Sequence, residues 1–213
     1  MRRAGHGWRD SLHLLSLLVL FMVATDGHGQ VPAAAWQYRA EVTESALETF
    51  GPGAPIATLA AQLHQESAWR SDAVSWAGAR GLAQFMPATA DDMARRYAAC
   101  QPANPFDPSW SIRCRDRYLH SLLRALQPLN HSALEQCDRW AFALRAYNGG
   151  LGWINRDRRR ARAAGADADD WQVVAHYNDG RRESAHRENR EYPARIVALD
   201  ARYALWGPRA CRP

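Results

Sequence analysis

The chain has 213 residues, enough for one well-buried core with small additions but not for two large domains. Hydrophobic residues make up 47% and charged residues 23%, a composition that excludes a largely disordered protein. The net charge of +5 rests on arginine alone, because the chain contains no lysine, and a solvated basic surface explains it as readily as a polyanionic partner does.

The sequence pattern of residues 1–29 predicts that the protein is exported. Three residues, Met1-Arg2-Arg3, precede an apolar run from Leu12 to Ala24, and a polar stretch follows it. The run is shorter than the roughly 20 residues that a membrane-spanning helix needs, yet no clear small-x-small cleavage site follows it. We interpret 1–29 as a signal peptide or an uncleaved N-terminal anchor, and 30–213 as the remaining domain.

Beyond this segment, apolar residues recur at spacings of three and four, which predicts helices rather than strands. A first helix is expected from about Ala40 to Phe50 and a second from near Pro55. The period of the second helix places Glu66 and Ser67 on or beside its apolar face, which is formed by Ile56, Leu59, Ala60 and Leu63. A carboxyl group on such a face should have a raised pKa, which makes Glu66 a candidate proton donor.

Glycines and prolines divide the middle of the chain. The stretch 71–80 is expected to be a loop, and a helix should open around Pro87 to Thr89. The proline-rich stretch 101–108 must be irregular, and helices should follow over 112–126 and 134–147.

The last third of the chain gives weaker signals. Asn148-Gly149-Gly150 is a strong helix stop. The basic run 156–162 and the acidic stretch 165–170 each have the composition of a solvated loop, and a last helix is expected to begin near Tyr192-Pro193. Several short helices around one core indicate an all-α or lysozyme-like α+β domain.

Four cysteines lie beyond the export segment, and an even number in an exported chain suggests two disulfides. Three pairings are possible. We favour Cys100 with Cys114, which closes a short proline-rich loop, and Cys137 with Cys211. No C-x-x-C element is present, so no zinc site is expected.

Four motifs follow one another in a characteristic order. They are Gln65-Glu66-Ser67-Ala68-Trp69, Gly78-Ala-Arg-Gly81-Leu82-Ala83-Gln84-Phe85-Met86-Pro87, Ala146-Tyr147-Asn148-Gly149-Gly150 and Glu188-Asn-Arg-Glu-Tyr192. In this order they resemble the soluble lytic transglycosylases, and the segment 107–119 resembles the helix that this family has between its second and third motifs. The similarity covers about Ile56 to Ile196.

The resemblance implies a mainly α, lysozyme-like domain of the goose-type and lytic transglycosylase kind, extending over 30–213 with a C-terminal extension. It implies cleavage of the β-1,4 bond between N-acetylmuramic acid and N-acetylglucosamine, with formation of 1,6-anhydro ends and without a metal or other cofactor. Glu66 would be the catalytic acid and base. The residues implied in sugar binding are Ser75, Gln84, Met86, Tyr147, Asn148, Glu188 and Tyr192.

Other expectations accompany this resemblance. The rings of Trp69, Trp76 and Tyr147 could pack against sugar faces. The expected partners are peptidoglycan strands, with no nucleic acid and with possible membrane association through the N-terminal segment. Two alternatives stay open: a hydrolytic muramidase, in which Asp72 is a second carboxylate that positions water, and a non-catalytic peptidoglycan-binding protein.

Overall fold

Helices form almost all of the regular structure between residues 29 and 211, the part of the chain that the computed structural model describes. The predicted signal peptide or anchor lies outside these residues, apart from Gly29. Two 3₁₀ turns, Ala98–Cys100 and Ala201–Tyr203, accompany the α-helices. In chain order the α-helices of the described part are α1 (Ala33–Trp36), α2 (Arg39–Phe50), α3 (Ile56–Ser67), α4 (Pro87–Arg96), α5 (Pro108–Ala125), α6 (Gln136–Gly149), α7 (Leu151–Ala163), α8 (Trp171–Val174) and α9 (Glu183–Asp200).

The helix α3 lies at the centre of the core. All residues from Ile56 to Leu63 are buried, so this helix is covered on every side over its first two turns. The helices α2 and α9 pack against it, and α5 and α6 extend the same core. Because α3 is held from all sides, its last turn, which carries Glu66, has a fixed position.

Two predictions about the last third of the chain are wrong. The basic run is not a solvated loop, because it lies in α7, where Ile154, Asp157, Arg158 and Ala161 form a buried stripe at helical spacing. Asp157 and Arg158 are buried because each forms ion pairs: Asp157 with Arg145 and Arg181, and Arg158 with Asp169. A sequence-based prediction that places every charged side chain in solvent does not detect such a stripe.

The last helix starts nine residues earlier than expected. It begins at Glu183, and Pro193 lies inside it. A proline removes one backbone hydrogen bond from a helix, but the packing of α9 against α3 and α6 offsets this loss. The other predicted helices agree with α2, α3, α4, α5 and α6 to within a few residues.

One of the two expected disulfides is confirmed. Cys100 and Cys114 are bonded and join the first 3₁₀ turn to α5. The second pair is not bonded in the structure, where Cys137 and Cys211 are free thiols, so this pairing stays a prediction. The chain does bring these two together: burial raises the pKa of the Cys211 thiol, and hydrogen bonding with Cys137 raises it further.

No helix between residues 29 and 211 is long and apolar enough to cross a membrane.

Candidate active site

A groove of about 380 Å³ opens beside the C-terminal end of α3. Its walls come from α3, the loop 71–86, the end of α6 and the middle of α9. All eight site residues that the sequence predicts line this one groove: Glu66, Ser75, Gln84, Met86, Tyr147, Asn148, Glu188 and Tyr192. Four motifs that are up to 126 residues apart in the chain are therefore neighbours in space.

Glu66 lies in the last turn of α3, at the floor of the groove. The helix ends one residue later, at Ser67, because Ala68 adopts a left-handed conformation, with φ 51°. The carboxyl group is partly buried in the protein but still borders the groove. Glu66 is thus held by the most deeply buried helix and can reach a bound molecule.

Burial raises the pKa of Glu66 from its ordinary value of 4.5 to about 7. Loss of water disfavours the charged form, and this effect outweighs a hydrogen bond from Tyr192 and the positive charge of Arg115, which both lower the pKa. Glu188 raises the pKa slightly by repulsion, whereas Arg195 lowers it. A carboxyl group with a pKa near neutrality can both donate and accept a proton at neutral pH.

Two tyrosines surround Glu66. The Tyr192 hydroxyl, from α9, donates a hydrogen bond to Oε1 of Glu66. The Tyr147 hydroxyl, from α6, donates to the Ala83 carbonyl at 2.7 Å and so ties α6 to the loop on the opposite wall. Burial and the nearby Glu66 raise the pKa of both hydroxyls well above 10, so both remain protonated. They are permanent hydrogen-bond donors in the site.

The loop 71–86 depends on a close backbone approach at Gly81. This residue has φ +74°, and a Cβ atom there would lie 1.6 Å from the Pro105 carbonyl oxygen. Only glycine fits such a contact. Gly81 therefore lets the loop pack closely against the irregular segment 101–107, which lies between the two bonded cysteines Cys100 and Cys114.

Two predicted sugar-binding residues also hold this loop in shape. The Gln84 amide nitrogen donates to the carbonyl oxygens of Ala73 and Gly81, and Gln84 itself has a strained φ of 49°. The Ser75 hydroxyl oxygen accepts a hydrogen bond from the Ala79 backbone nitrogen at 3.0 Å. Both side chains thus have part of their hydrogen-bonding capacity used within the loop.

Two tryptophans and one methionine near the groove differ in their exposure to solvent. Trp76 is 97% exposed and Met86 is 43% exposed, so both lie at the rim, where a ligand can cover them. Trp69 is only 2% exposed, and its indole nitrogen donates to the Tyr203 hydroxyl at 2.7 Å. The expectation that Trp69 packs against sugar is therefore wrong, because this ring belongs to the core.

The end of α6 meets α9 through two asparagines. The Asn189 amide nitrogen donates to Oδ1 of Asn148 at 3.1 Å and to the Arg145 carbonyl oxygen at 2.7 Å. A Cβ atom at Gly149 would lie 2.5 Å from the same nitrogen. The glycine that reads as a helix stop therefore also lets α9 approach α6 closely enough to form the groove wall.

The residues on the α9 side of the rim are charged. Glu188 is exposed, and its carbonyl oxygen accepts a hydrogen bond from Arg195 at 3.2 Å. Asp72 is exposed and is not part of the groove lining. The second carboxylate that borders the groove is thus Glu188 and not Asp72.

Outside the groove, one group of potential metal ligands occurs between residues 29 and 211, namely His131, Asp167 and Asp169. Asp169 accepts hydrogen bonds from three successive backbone nitrogens, 129–131, and an ion pair from Arg158. His131 is paired with Asp167 at 2.7 Å. These contacts explain the cluster as a structural link between the loop 127–131 and α7.

The family model of the transglycosylase SLT domain matches residues 50–169, more than half of the chain. The chain belongs to this family. A relative that is named membrane-bound lytic murein transglycosylase F, from Histophilus somni strain 2336, is 38% identical over 116 residues, which are 54% of this SLT-family chain and 22% of the relative. The protein of the same name from Alteromonas mediterranea is 32% identical over 148 residues, which are 68% of this chain and 30% of the relative. The chain thus spans less than a third of the length of these relatives.

Solved structures show the same fold. The 70-kDa soluble lytic transglycosylase of Escherichia coli superposes with a TM-score of 0.54 at 21% identity, over 78% of this chain and 25% of that one. An inactive mutant of the lytic transglycosylase Slt from Pseudomonas aeruginosa gives 0.56 at 22% identity, over 82% and 25%. The predicted mainly α, lysozyme-like fold of the SLT-family chain is confirmed.

Sequence reasoning missed part of the groove lining. Tyr118 from α5, Thr89 from α4 and Arg195 from α9 also border it. The Tyr118 ring contacts the Tyr147 ring at a tilt of 49°, with ring centroids 5.3 Å apart. The family resemblance covers the helix that carries Tyr118 but marks none of the three as a groove residue, although Arg195 lies three residues after Tyr192, on the same helix face.

Proposed function

We propose that the chain is a peptidoglycan lytic transglycosylase in which Glu66 acts first as the acid and then as the base. The observation that carries this proposal is a carboxyl group at the floor of a groove with its pKa raised to about 7. Membership of the SLT family supports the same reaction.

In the proposed reaction, protonated Glu66 donates its proton to the glycosidic oxygen as the bond from C1 of N-acetylmuramic acid to that oxygen breaks. The acetamido group of the same sugar stabilises the positive charge that develops at C1. The Glu66 carboxylate then takes the proton of the 6-hydroxyl group while its oxygen bonds to C1. The product is a 1,6-anhydro ring, and Glu66 is protonated again without the use of water.

The remaining groove residues are proposed to bind sugar. Tyr192 holds one oxygen of the Glu66 carboxyl group. Tyr147, Asn148, Ser75 and Gln84 line the walls, and the exposed rings and chains at the rim, including Met86 and Trp76, give apolar surface for sugar faces. Glu188 borders the groove opposite the loop 71–86 and adds negative charge beside the reacting bond. No step of this reaction requires a metal or other cofactor.

We place the protein in the cell envelope. Residues 1–29 have the pattern of a signal peptide or anchor, and relatives that the chain resembles are named membrane-bound murein transglycosylases. The domain from residue 30 to residue 213 would then act on peptidoglycan outside the cytoplasm.

Digestion of purified sacculi by the 30–213 chain tests the reaction. The products are separated and weighed: an anhydro product is lighter by one water molecule than the reducing-end product of a muramidase. We expect anhydro products from the wild type and none from Glu66→Gln, whereas Asp72→Asn keeps the wild-type activity. Reducing-end products would show a hydrolase, and bound but undigested sacculi would show a non-catalytic binding protein.

A further inference from the structure

A buried arginine that does not line the groove lies near enough to Glu66 to act on its carboxyl group. Arg115, in α5, is completely buried, and its guanidinium is within 2.8 Å of the equally buried Asp116 carboxylate. Its Nη1 atom donates to the Leu59 carbonyl oxygen of α3 at 2.5 Å and to Oε1 of Gln62 at 3.3 Å. A buried arginine is expensive to desolvate, so the contacts that it makes with α3 have to offset this cost.

The contact with Arg115 fixes the orientation of the Gln62 amide. An arginine side chain can only donate hydrogen bonds, so the oxygen of the amide must face it and the nitrogen must face away. The nitrogen donates to the Tyr192 hydroxyl oxygen at 3.3 Å, and Gln62 has no exposed surface. The reversed amide would place two donors against each other at Arg115 and leave Tyr192 without this donor.

The orientation of Gln62 in turn fixes the Tyr192 hydroxyl. Its oxygen accepts from Gln62, so its single proton is free to point at Oε1 of Glu66. Hydrogen bonds then run in one direction only, from Arg115 through Gln62 and Tyr192 to the carboxyl group. Such chains strengthen each member by polarisation.

We propose that Arg115 and Gln62 are positioning residues for Glu66, because their one-directional hydrogen-bond chain obliges Tyr192 to donate to the carboxyl group. This inference rests on the proposed role of Glu66. The chain holds one carboxyl oxygen and stabilises the charged form, so it opposes the effect of burial and keeps Glu66 able to act as a base after it has acted as an acid.

Other charged and titratable groups face Glu66 as well. Glu188 and Arg195 approach from α9 and oppose each other in their effect on the carboxyl group, and Tyr147 approaches from α6. None of these three is a member of the hydrogen-bond chain. Their contributions stay the same when Gln62 is replaced, which allows the chain to be tested by itself.

Gln62→Glu keeps the size of the side chain and replaces the donor by an acceptor, but it also adds a charge that repels Glu66, so the uncharged variant Gln62→Met is the decisive one. The new carboxylate would face Arg115 and draw the Tyr192 proton away from Glu66. We expect the midpoint of Glu66 titration to move to higher pH by about one unit or more. Gln62→Met removes both hydrogen bonds without adding charge, and here we expect a rise of about half a unit or more.

The titration is measured by NMR on protein labelled with ¹³C at the glutamate δ-carbon, and the Glu66 signal is identified by its absence in Glu66→Gln. This readout needs no turnover, so it can fail while sacculi are digested, and it can succeed if they are not. The alkaline limb of the pH profile of anhydro-product release should move in the same direction.

Arg158→Met is the control for loss of a buried polar contact. Arg158 is, like Arg115, a buried arginine in an ion pair, here with Asp169, but it does not border the groove. This variant should lower the melting temperature and leave the Glu66 midpoint unchanged. An unchanged Glu66 midpoint in Gln62→Met, or a shift of that midpoint to lower pH in either Gln62 variant, would overturn the proposal. If Gln62→Glu does not fold, Gln62→Met decides alone.

Discussion

Replacing Glu66 by glutamine should stabilise the protein at pH 8 but not at pH 4. The folded protein holds the carboxyl group with a pKa of about 7, compared with an ordinary value of 4.5. Below pH 4.5 the group is protonated in the folded and the unfolded chain, so it has no effect on the free energy of unfolding. Between pH 4.5 and 7 the unfolded chain loses a proton that the folded chain keeps, and stability falls as pH rises.

Above pH 7 the whole penalty applies. A gap of about 2.5 between the two pKa values corresponds to about 3 kcal/mol of destabilisation by the charged carboxylate. Glutamine has nearly the same shape and still accepts the hydrogen bond from Tyr192, but it carries no charge. The variant should therefore melt about 6–12 °C above the wild type at pH 8.

The assay is thermal unfolding of both proteins at pH 4 and pH 8, followed by circular dichroism. Glu44→Gln is a suitable control, because Glu44 is exposed on α2, away from the groove, and this variant should melt with the wild type at both pH values. If the difference between Glu66→Gln and wild type is the same at pH 4 and pH 8, then Glu66 is not destabilised by burial, and the argument for its acidity fails.

Three further substitutions test the support of the site. Gly81→Ala should lower the free energy of unfolding by more than about 2 kcal/mol, since it combines a clash with an unfavourable φ. The control Gly152→Ala, in α7, has open space around the new methyl group and should be neutral or stabilising, and the melting temperatures of the two variants are compared. Loss of the Cys100–Cys114 disulfide by double serine substitution should destabilise by about 3 kcal/mol, and reductant should then have no further effect at this bond; an unchanged unfolding midpoint in denaturant would contradict this. Trp76→Ala should raise KM on glycan strands by roughly tenfold, from loss of about 1–2 kcal/mol of sugar stacking, with an unchanged melting temperature because the ring is 97% exposed.

The sequence predicts the helices that carry Glu66 and Tyr147 because local signals agree there. Three signals indicate the single helix α3: a proline at its start, an apolar stripe along one face, and two glycines shortly before it. The four ordered motifs then predict that their residues meet in space, and the groove contains all of them. Motif order thus supplies the long-range information that periodicity lacks.

The failures have a common physical cause. The sequence does not predict α7, because its buried stripe contains Asp157 and Arg158, whose charges are neutralised by partners outside the helix. The partners Gln62 and Arg115 were missed for the same reason: each looks like an ordinary polar residue on a helix, and only the contact between α3 and α5 brings them together. Sequence patterns do not reveal buried polar pairs.

The first turn of α3 has a consequence for the order in which the protein folds. This turn has no capping side chain of its own; the Ala57 backbone nitrogen donates to the Pro208 carbonyl oxygen, and Thr58 accepts from the Ala210 backbone nitrogen, which is 152 residues away along the chain. Contacts over such a distance form late, because a long loop must close first. We therefore expect the helix that carries Glu66 to become complete in one of the last steps of folding, so that partly folded chains lack an organised groove.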